Sequence, residues 1–338
     1  MRRFVILIGL TLAIMLGITA CGKTEATPTA AADVTAPATA IPTPVEPALP
    51  DGQFLAFLVR SQQDSFWQAA RLGVATKMQE LGIKIEYLGT EVENADAQTL
   101  IMSNLISRHP VAIAVSPVDA DKMAPLIDKA IDAGIKVITI NRDAPNSKRA
   151  LYIGTDNALA GYQIGKQFAE AIGGKGEIAI FHGSLRSPVD VERVDGFNKA
   201  IAEYPEIKVD AVIETILPPD ATVAALTPDI VLQQYPNLVG IFSVTGASAG
   251  ASAQALKDVG KCEVVKVFSF GASQQAVDLM REGCLAMFIT EKPYTLATQA
   301  VDALMGLVNG NSNFPPTTDL GVVVVTPATL DIFLNSNN

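Results

Sequence analysis

The 338 residues suffice for two domains of ordinary size, and 49% hydrophobic against 18% charged residues excludes a wholly disordered chain. Twenty-five basic side chains oppose 35 acidic ones, a net charge of −10. That balance argues against nucleic acid as a partner, because a phosphate backbone needs a basic face.

Residues 1–20 read as a secretory leader: Arg2-Arg3, an apolar run over 4–16, then Ile18-Thr19-Ala20 ahead of Cys21. The apolar run is too short for a comfortable membrane span. Ending on Ala20-Cys21, it resembles the lipobox of bacterial lipoproteins, in which the cysteine is acylated and becomes the new N-terminus. This implies lipidation at Cys21 and a membrane contact through that lipid. The other reading is an ordinary signal peptide with a chance cysteine. Residues 21–51 are dominated by Ala, Thr and Pro without hydrophobic periodicity, the composition of an extended tether.

Strand and helix signals then alternate. A strand is predicted over 53–59 and a helix behind Asp64 or Ser65, where Trp67, Ala70, Val74, Met78 and Leu81 mark one apolar face and Gly82 the stop. A strand over 83–88, a helix over 95–108 and a strand over 111–115 follow. Asp119 or Asp121 caps the next helix and Gly134 ends it, with Pro125 tolerable only in the first turn. Residues 137–157 organise the chain. The β-branched run Val137–Ile140 ends on Asn141-Arg142-Asp143, and a short strand over 151–153 leads through Gly154-Thr155-Asp156-Asn157 onward.

Beyond it the alternation resumes. Helices are expected over 159–171, 188–204, 246–259, 273–281 and 293–308, with a further one from an Asp220 cap to about residue 235. Strands are expected over 177–181, 209–214, 238–244, 264–270, 285–290 and, late in the chain, 320–325. Strict alternation with short connections means parallel sheets covered on both faces. So many strands point to an α/β chain of two doubly wound lobes. No solenoid repeat is present. An exported location permits a disulfide. Cys262 and Cys284 each precede an apolar run, so a bridge is expected if those strands are neighbours; two buried free thiols are the alternative.

In open parallel sheets, ligands sit beyond the carboxyl ends of the strands. Those ends carry Asp64, Phe66 and Trp67 after the first strand, Ser116 after the third, and Asn141 and Arg142 after the fourth. Arg193 lies on a later helix, and Thr245 and Glu291 end later strands. Aromatic faces with planar guanidinium and carboxamide groups suit a ring that bears hydroxyls. Trp67 has a core role as its alternative, and Arg193 an ion pair with Glu192 or Asp195.

Signals for enzymes are weaker. Gly246-Ala247-Ser248-Ala249-Gly250 follows a strand and opens a helix, as a nucleophile elbow does, yet both histidines, His109 and His182, precede Ser248 and the triad order fails. Gly174-Lys175-Gly176 precedes a strand and reads as a turn. No clustered Cys/His spacing calls for a metal, and no cofactor is expected. His182, just past a strand end, reads as a satisfied loop histidine, with a ligand contact as the alternative.

From residue 53 to about 326 the chain resembles the periplasmic sugar-binding proteins of ABC importers, in their ribose-binding-like branch. The resemblance is carried by Val137–Arg142, Ile153–Asn157, the run Glu192-Arg193-Val194-Asp195-Gly196-Phe197 and the turn Asp64-Ser65-Phe66-Trp67. It implies a type I periplasmic binding protein: two Rossmann-like lobes joined by three crossovers near Thr155, Lys292 and Leu320-Gly321. The lobes would be 52–154 plus 292–320, and 155–291 plus 321–335. It also implies a monomer that closes on a small polar solute and presents it to an importer permease, or alternatively to a chemoreceptor or receptor kinase. Phe66, Trp67, Arg142 and Arg193 match the family's ligand contacts in type. Asp64, Asn141, Thr245, Gly271 and Glu291 depart from them, Gly271 standing where an aspartate grips sugar hydroxyls. The acids Asp64 and Glu291 leave room for an amine-bearing or otherwise modified ligand.

Overall fold

The computed structural model describes residues 49–336 apart from 51, 184–186, 216–226 and 272. The leader, Cys21, nearly all of the tether and the Asp220 cap lie outside the described residues. The chain runs β1 (Leu55–Val59), α1 (Ser65–Leu81), β2 (Ile85–Gly89), α2 (Ala95–Arg108), β3 (Ala112–Val115), α3 (Ala120–Asp132), β4 (Lys136–Ile140) and β5 (Tyr152–Gly154). It continues through α4 (Asn157–Ala171), β6 (Lys175–His182), α5 (Pro188–Ile201), β7 (Glu206–Glu214), α6 (Pro228–Gln234), β8 (Leu238–Ser243) and α7 (Gly246–Asp258). The last elements are β9 (Lys266–Phe270), α8 (Gln274–Arg281), β10 (Met287–Thr290), α9 (Pro293–Val308), β11 (Thr317–Asp319), β12 (Val323–Val325) and α10 (Leu330–Ser336).

The strands form two six-stranded sheets, in orders β11-β5-β4-β3-β1-β2 and β12-β10-β9-β8-β6-β7. Pairing is parallel throughout, except that β12 runs antiparallel to β10. The two orders correspond strand for strand, so the second lobe repeats the first. The chain passes between sheets after β5, after β10 and between β11 and β12.

Period-2 alternation builds the layers. Along β1, Leu55, Phe57 and Val59 face a core shared with α1 and α9, while Phe54, Ala56 and Leu58 face one shared with α2 and α3. In the second sheet Ala179 and Phe181 join the core under α6, α7, α8 and α10, and Ile178 and Ile180 the core under α4 and α5. Helix α9 follows a strand of the second sheet yet packs on the first.

Several local expectations are corrected. The strand expected over 320–325 is shorter, Val323–Val325, and a separate strand, Thr317–Asp319, precedes it in the other sheet, with Gly321 between them at φ 61°. Pro125 lies inside α3, beyond the first turn, where the helix tolerates its missing N–H. The helix expected to reach residue 235 is described only over Pro228–Gln234. A short terminal helix, α10, had no signal strong enough to predict it.

Cys262 and Cys284 are joined by a disulfide, with Cα atoms 4.4 Å apart. It ties the segment before β9 to the segment before β10, which pair in parallel.

Candidate functional site

In each sheet the order of connection reverses at one place. The chain builds outward from β1 to β2 and then returns to β3 on the other side of β1; β6, β7 and β8 repeat the move. A crevice opens at the carboxyl ends of the strands flanking such a reversal. Arg60 follows β1 and Ser116 follows β3; His182 ends β6 and Ser243 ends β8. All four hold a buried side-chain atom without a hydrogen-bond partner: Arg60 Nε, Ser116 Oγ, His182 Nδ1 and Ser243 Oγ. Arg142 Nε, after β4, is a fifth. Folded proteins pair nearly all buried polar atoms; of the six unpaired side-chain atoms among the described residues, five gather at these strand ends and the sixth, Ser252 Oγ, lies on α7.

A cavity of about 690 Å³ adjoins this region, within the usual range for small-molecule sites. The first lobe contributes Asn141, Arg142, Asp143 and Tyr152; the second contributes Asn157, Pro188, Val189 and Glu192. Between it and the lobe connections runs a chain of polar contacts. The Arg60 guanidinium donates to Glu93 and, at 3.1 Å, to Asn141 Oδ1. Asn141 Nδ2 donates to Glu291 Oε1 at 3.2 Å, and Arg193 pairs with Glu291 Oε2 at 3.1 Å. Arg193 Nε donates to Asn157 Oδ1 at 2.9 Å, and its guanidinium lies 4.3 Å from the Phe270 ring centroid. Arg142 reaches Glu93 and the Val118 carbonyl, each at 3.4 Å.

Local sequence explains each placement. Asn141 adopts φ 59°, a left-handed conformation that asparagine tolerates better than most residues. Its N–H donates to the Ile153 carbonyl and its own carbonyl accepts from the Tyr152 hydroxyl. Gly271, at the matching position after β9, has φ 66° and donates to Ile289. Gln98 on α2 is fully buried. Its amide donates to the Val59 and Ser116 carbonyls and accepts from the Val118 N–H, tying the ends of β1 and β3 together. Arg193 is fixed by close backbone contact between α4 and α5. A Cβ added at Gly161 would lie 2.2 Å from the Arg193 carbonyl oxygen, and one at Gly196 2.0 Å from that of Ala158.

Burial first, and then the neighbouring Arg142, draw the Arg60 pKa down, while Glu93 and Asp64 draw it up; the guanidinium stays charged. Burial lowers the His182 pKa, opposed by Glu214 and Asp190. Burial raises that of the Tyr152 phenol.

The structure brings Asn141, Arg193 and Glu291 into direct contact, with Arg142 beside them through Glu93. Phe66 is half-buried and borders a small gap with Asn141, Thr155 and Glu291. Ser116 lies beneath, fully buried. Three expected contacts are otherwise engaged. Trp67 is 1% exposed within the first lobe's core, covered by the Arg60 guanidinium at 5.7 Å and by Phe66 edge-on. Asp64 is exposed and caps α1 by accepting from the Phe66 N–H at 2.8 Å. Thr245 caps α7 through the Ser248 N–H, and Ser248 returns its hydroxyl to the Thr245 carbonyl, so this serine is a helix-capping partner. Arg193 pairs with Glu291 and with neither of its sequence neighbours. Asp64 Oδ1 serves the cap, and Glu291 is held by Arg193 and Asn141.

Arg60, Glu93 and Asn157 were missed. Arg60 was legible, being the first residue after β1 under the same strand-end rule that selected Ser116. Glu93 comes from the loop before α2 and Asn157 from the first turn of α4, and no local pattern tells that they meet Arg60 and Arg193.

Residues 55–312 match the periplasmic binding protein domain family. Among curated relatives, the chain is 25% identical over 252 residues to a D-apiose import binding protein of Actinobacillus succinogenes, covering 74% of this chain and 80% of that one. It is 22% identical over 256 residues to a ribose import binding protein of Salmonella typhimurium, covering 76% and 85%. Among solved structures, an ABC transporter solute-binding protein of Burkholderia graminis in complex with D-arabinose superposes with a TM-score of 0.73 at 29% identity, over 82% of this chain and 96% of that one. With the doubly wound pair of lobes and the polar seam at their strand ends, these likenesses establish that the chain belongs to the periplasmic binding protein family and has its type I fold.

Proposed function

We propose that this chain is an extracytoplasmic solute-binding lipoprotein that captures a sugar or sugar-like molecule between its lobes and hands it to an ABC importer. The observation that carries the reading is the set of unpaired buried polar atoms at both chain reversals, beside a cavity walled by both lobes. The relatives' names, for apiose and ribose import, support the solute class. Asn141, Arg142, Arg193 and Glu291 are the proposed ligand contacts, with Arg60, Phe66 and Ser116 beside them. Trp67, Asp64 and Thr245 position backbone and neighbours.

The lobes are assigned as 52–154 plus 292–320, and 155–291 plus 321–335. Two stiff lobes on three connections can rotate as units, and a ligand touching both favours the closed state through its differential contacts. Catalysis has no place in this scheme: the task is capture and release by a monomer. Cys21 is proposed as the lipid-bearing residue, and an N-terminal peptide found by mass spectrometry without acylation would refute it. For the capture itself, thermal shift against a panel of pentoses, hexoses and their acids is the test. Stabilisation by at least one member is expected, and a panel without effect would sink the reading.

A further inference from the structure

Resting on the binding reading, the seam itself speaks to the ligand's charge. Three guanidinium groups line it, those of Arg60, Arg142 and Arg193. Two carboxylates answer them: Glu93, shared by Arg60 and Arg142, and Glu291, paired with Arg193. Two of the cations, Arg60 and Arg142, share one of these anions.

The acceptors along the seam are already engaged. Asn141 Oδ1 accepts from Arg60, Asn157 Oδ1 from Arg193, and Glu291 from both Asn141 and Arg193. Arg60 Nε and Arg142 Nε are buried donors with no acceptor, and Ser116 Oγ, fully buried, is equally unpaired. At the end of β9, Gly271 brings no side-chain acceptor. A neutral polyol offers hydroxyls that donate as well as accept, whereas the unpaired groups of Arg60 and Arg142 can only donate. A carboxylate offers acceptors alone, and charge-assisted bonds from guanidinium groups suit it.

The rest of the cavity has the opposite character. Asp143 is held by Arg149 and Thr139, and Asp156 and Asp319 accept backbone N–H groups. Asp121 and Glu192 add further carboxylates to the lining, as acceptors for hydroxyl donors. We propose that the cleft takes a sugar acid, a uronate or aldonate, with its carboxylate toward Arg60 and Arg142 and its hydroxyls toward Asp121 and Glu192.

Calorimetry on the full chain with matched pairs tests this: D-galactose against D-galacturonate, D-glucose against D-gluconate, D-ribose against D-ribonate, and D-ribose 5-phosphate as a dianion. The acid of at least one pair is expected to bind at least tenfold tighter than its neutral partner, and to weaken as salt is raised. Arg60→Gln should cost the acid at least tenfold in affinity. Arg60→Lys, which keeps the charge and the lid over Trp67, should cost less; unliganded melting curves of both variants report folding separately. A neutral sugar that binds as tightly as its acid, or the phosphate binding tightest, would overturn the charge assignment and leave sugar capture standing. No binding by any member of the panel would overturn both.

Discussion

Asn141 shows how one side chain links the halves of the seam: its carbonyl oxygen takes Arg60 from β1 and its amide reaches Glu291 at the β10 connection. The arginines around it are held by two or more contacts each, which fixes their direction before a ligand arrives. Arg142→Ala is expected to weaken binding by more than about 2 kcal/mol, since it removes a charged donor from a desolvated site. Calorimetry reads this, and unchanged affinity would take Arg142 out of the site. His182 makes a different prediction. Burial holds its pKa below the ordinary 6.5 in the folded chain. Between the folded and unfolded values, the unfolded chain binds a proton that the native one does not. The contribution is therefore whole above about pH 6.5 and is lost as the pH falls below it. Melting temperatures taken from about pH 8 to about pH 5 should drop more steeply for the parent than for His182→Gln.

Helices α4 and α5 set where Arg193 stands. Gly161 and Gly165 on one and Gly196 on the other let the backbones meet without Cβ atoms between them. Beneath them an aromatic column runs from Phe168 to Phe197, stacks Phe197 on Phe242 at 4.0 Å, and continues to Phe270, on which the Arg193 guanidinium rests. The core of the second lobe thus ends in a proposed ligand contact. Gly196→Ala forces a methyl into the Ala158 carbonyl, so a stability loss of about 1–3 kcal/mol is expected, as for other overpacked sites. Because Arg193 lies on the same helix, affinity should fall as well. Urea melts and calorimetry on the same sample check both.

Across the whole molecule, two lobes of matching strand order place their chain reversals at the same end, and three connections join them. A solute that touches Asn141 and Arg142 on one side and Arg193 on the other lowers the free energy of the closed arrangement alone. Small-angle scattering should show a smaller radius of gyration when the solute is added, and no change in Arg142→Ala at the same concentration. The disulfide between Cys262 and Cys284 lies at the opposite, amino end of β9 and β10, remote from the seam. Reduction should therefore lower the melting temperature while leaving solute affinity intact, as calorimetry in reductant would reveal.

The sequence by itself determined the elements, because hydrophobic period, caps and breakers are local. The apolar face from Trp67 to Leu81, the Asp119 cap and the stop at Gly82 each act within a few residues. It also determined which side chains stand at strand ends, and hence Ser116, Asn141 and Arg142. Only the tertiary structure decided how those ends combine. Glu291 lies 150 residues from Asn141 and 98 from Arg193, and no local pattern pairs them. The same holds for Trp67, whose helical face reads identically whether the ring meets a solute or the core; only the fold buries the ring in the first lobe's core with the Arg60 guanidinium over it. Residues 317–325 make the point in the backbone. The β-branched signal over 320–325 yields one strand, and the unsignalled Thr317–Asp319 another in the other sheet, because hydrogen-bond partners far away in the chain choose the sheet to which each strand belongs.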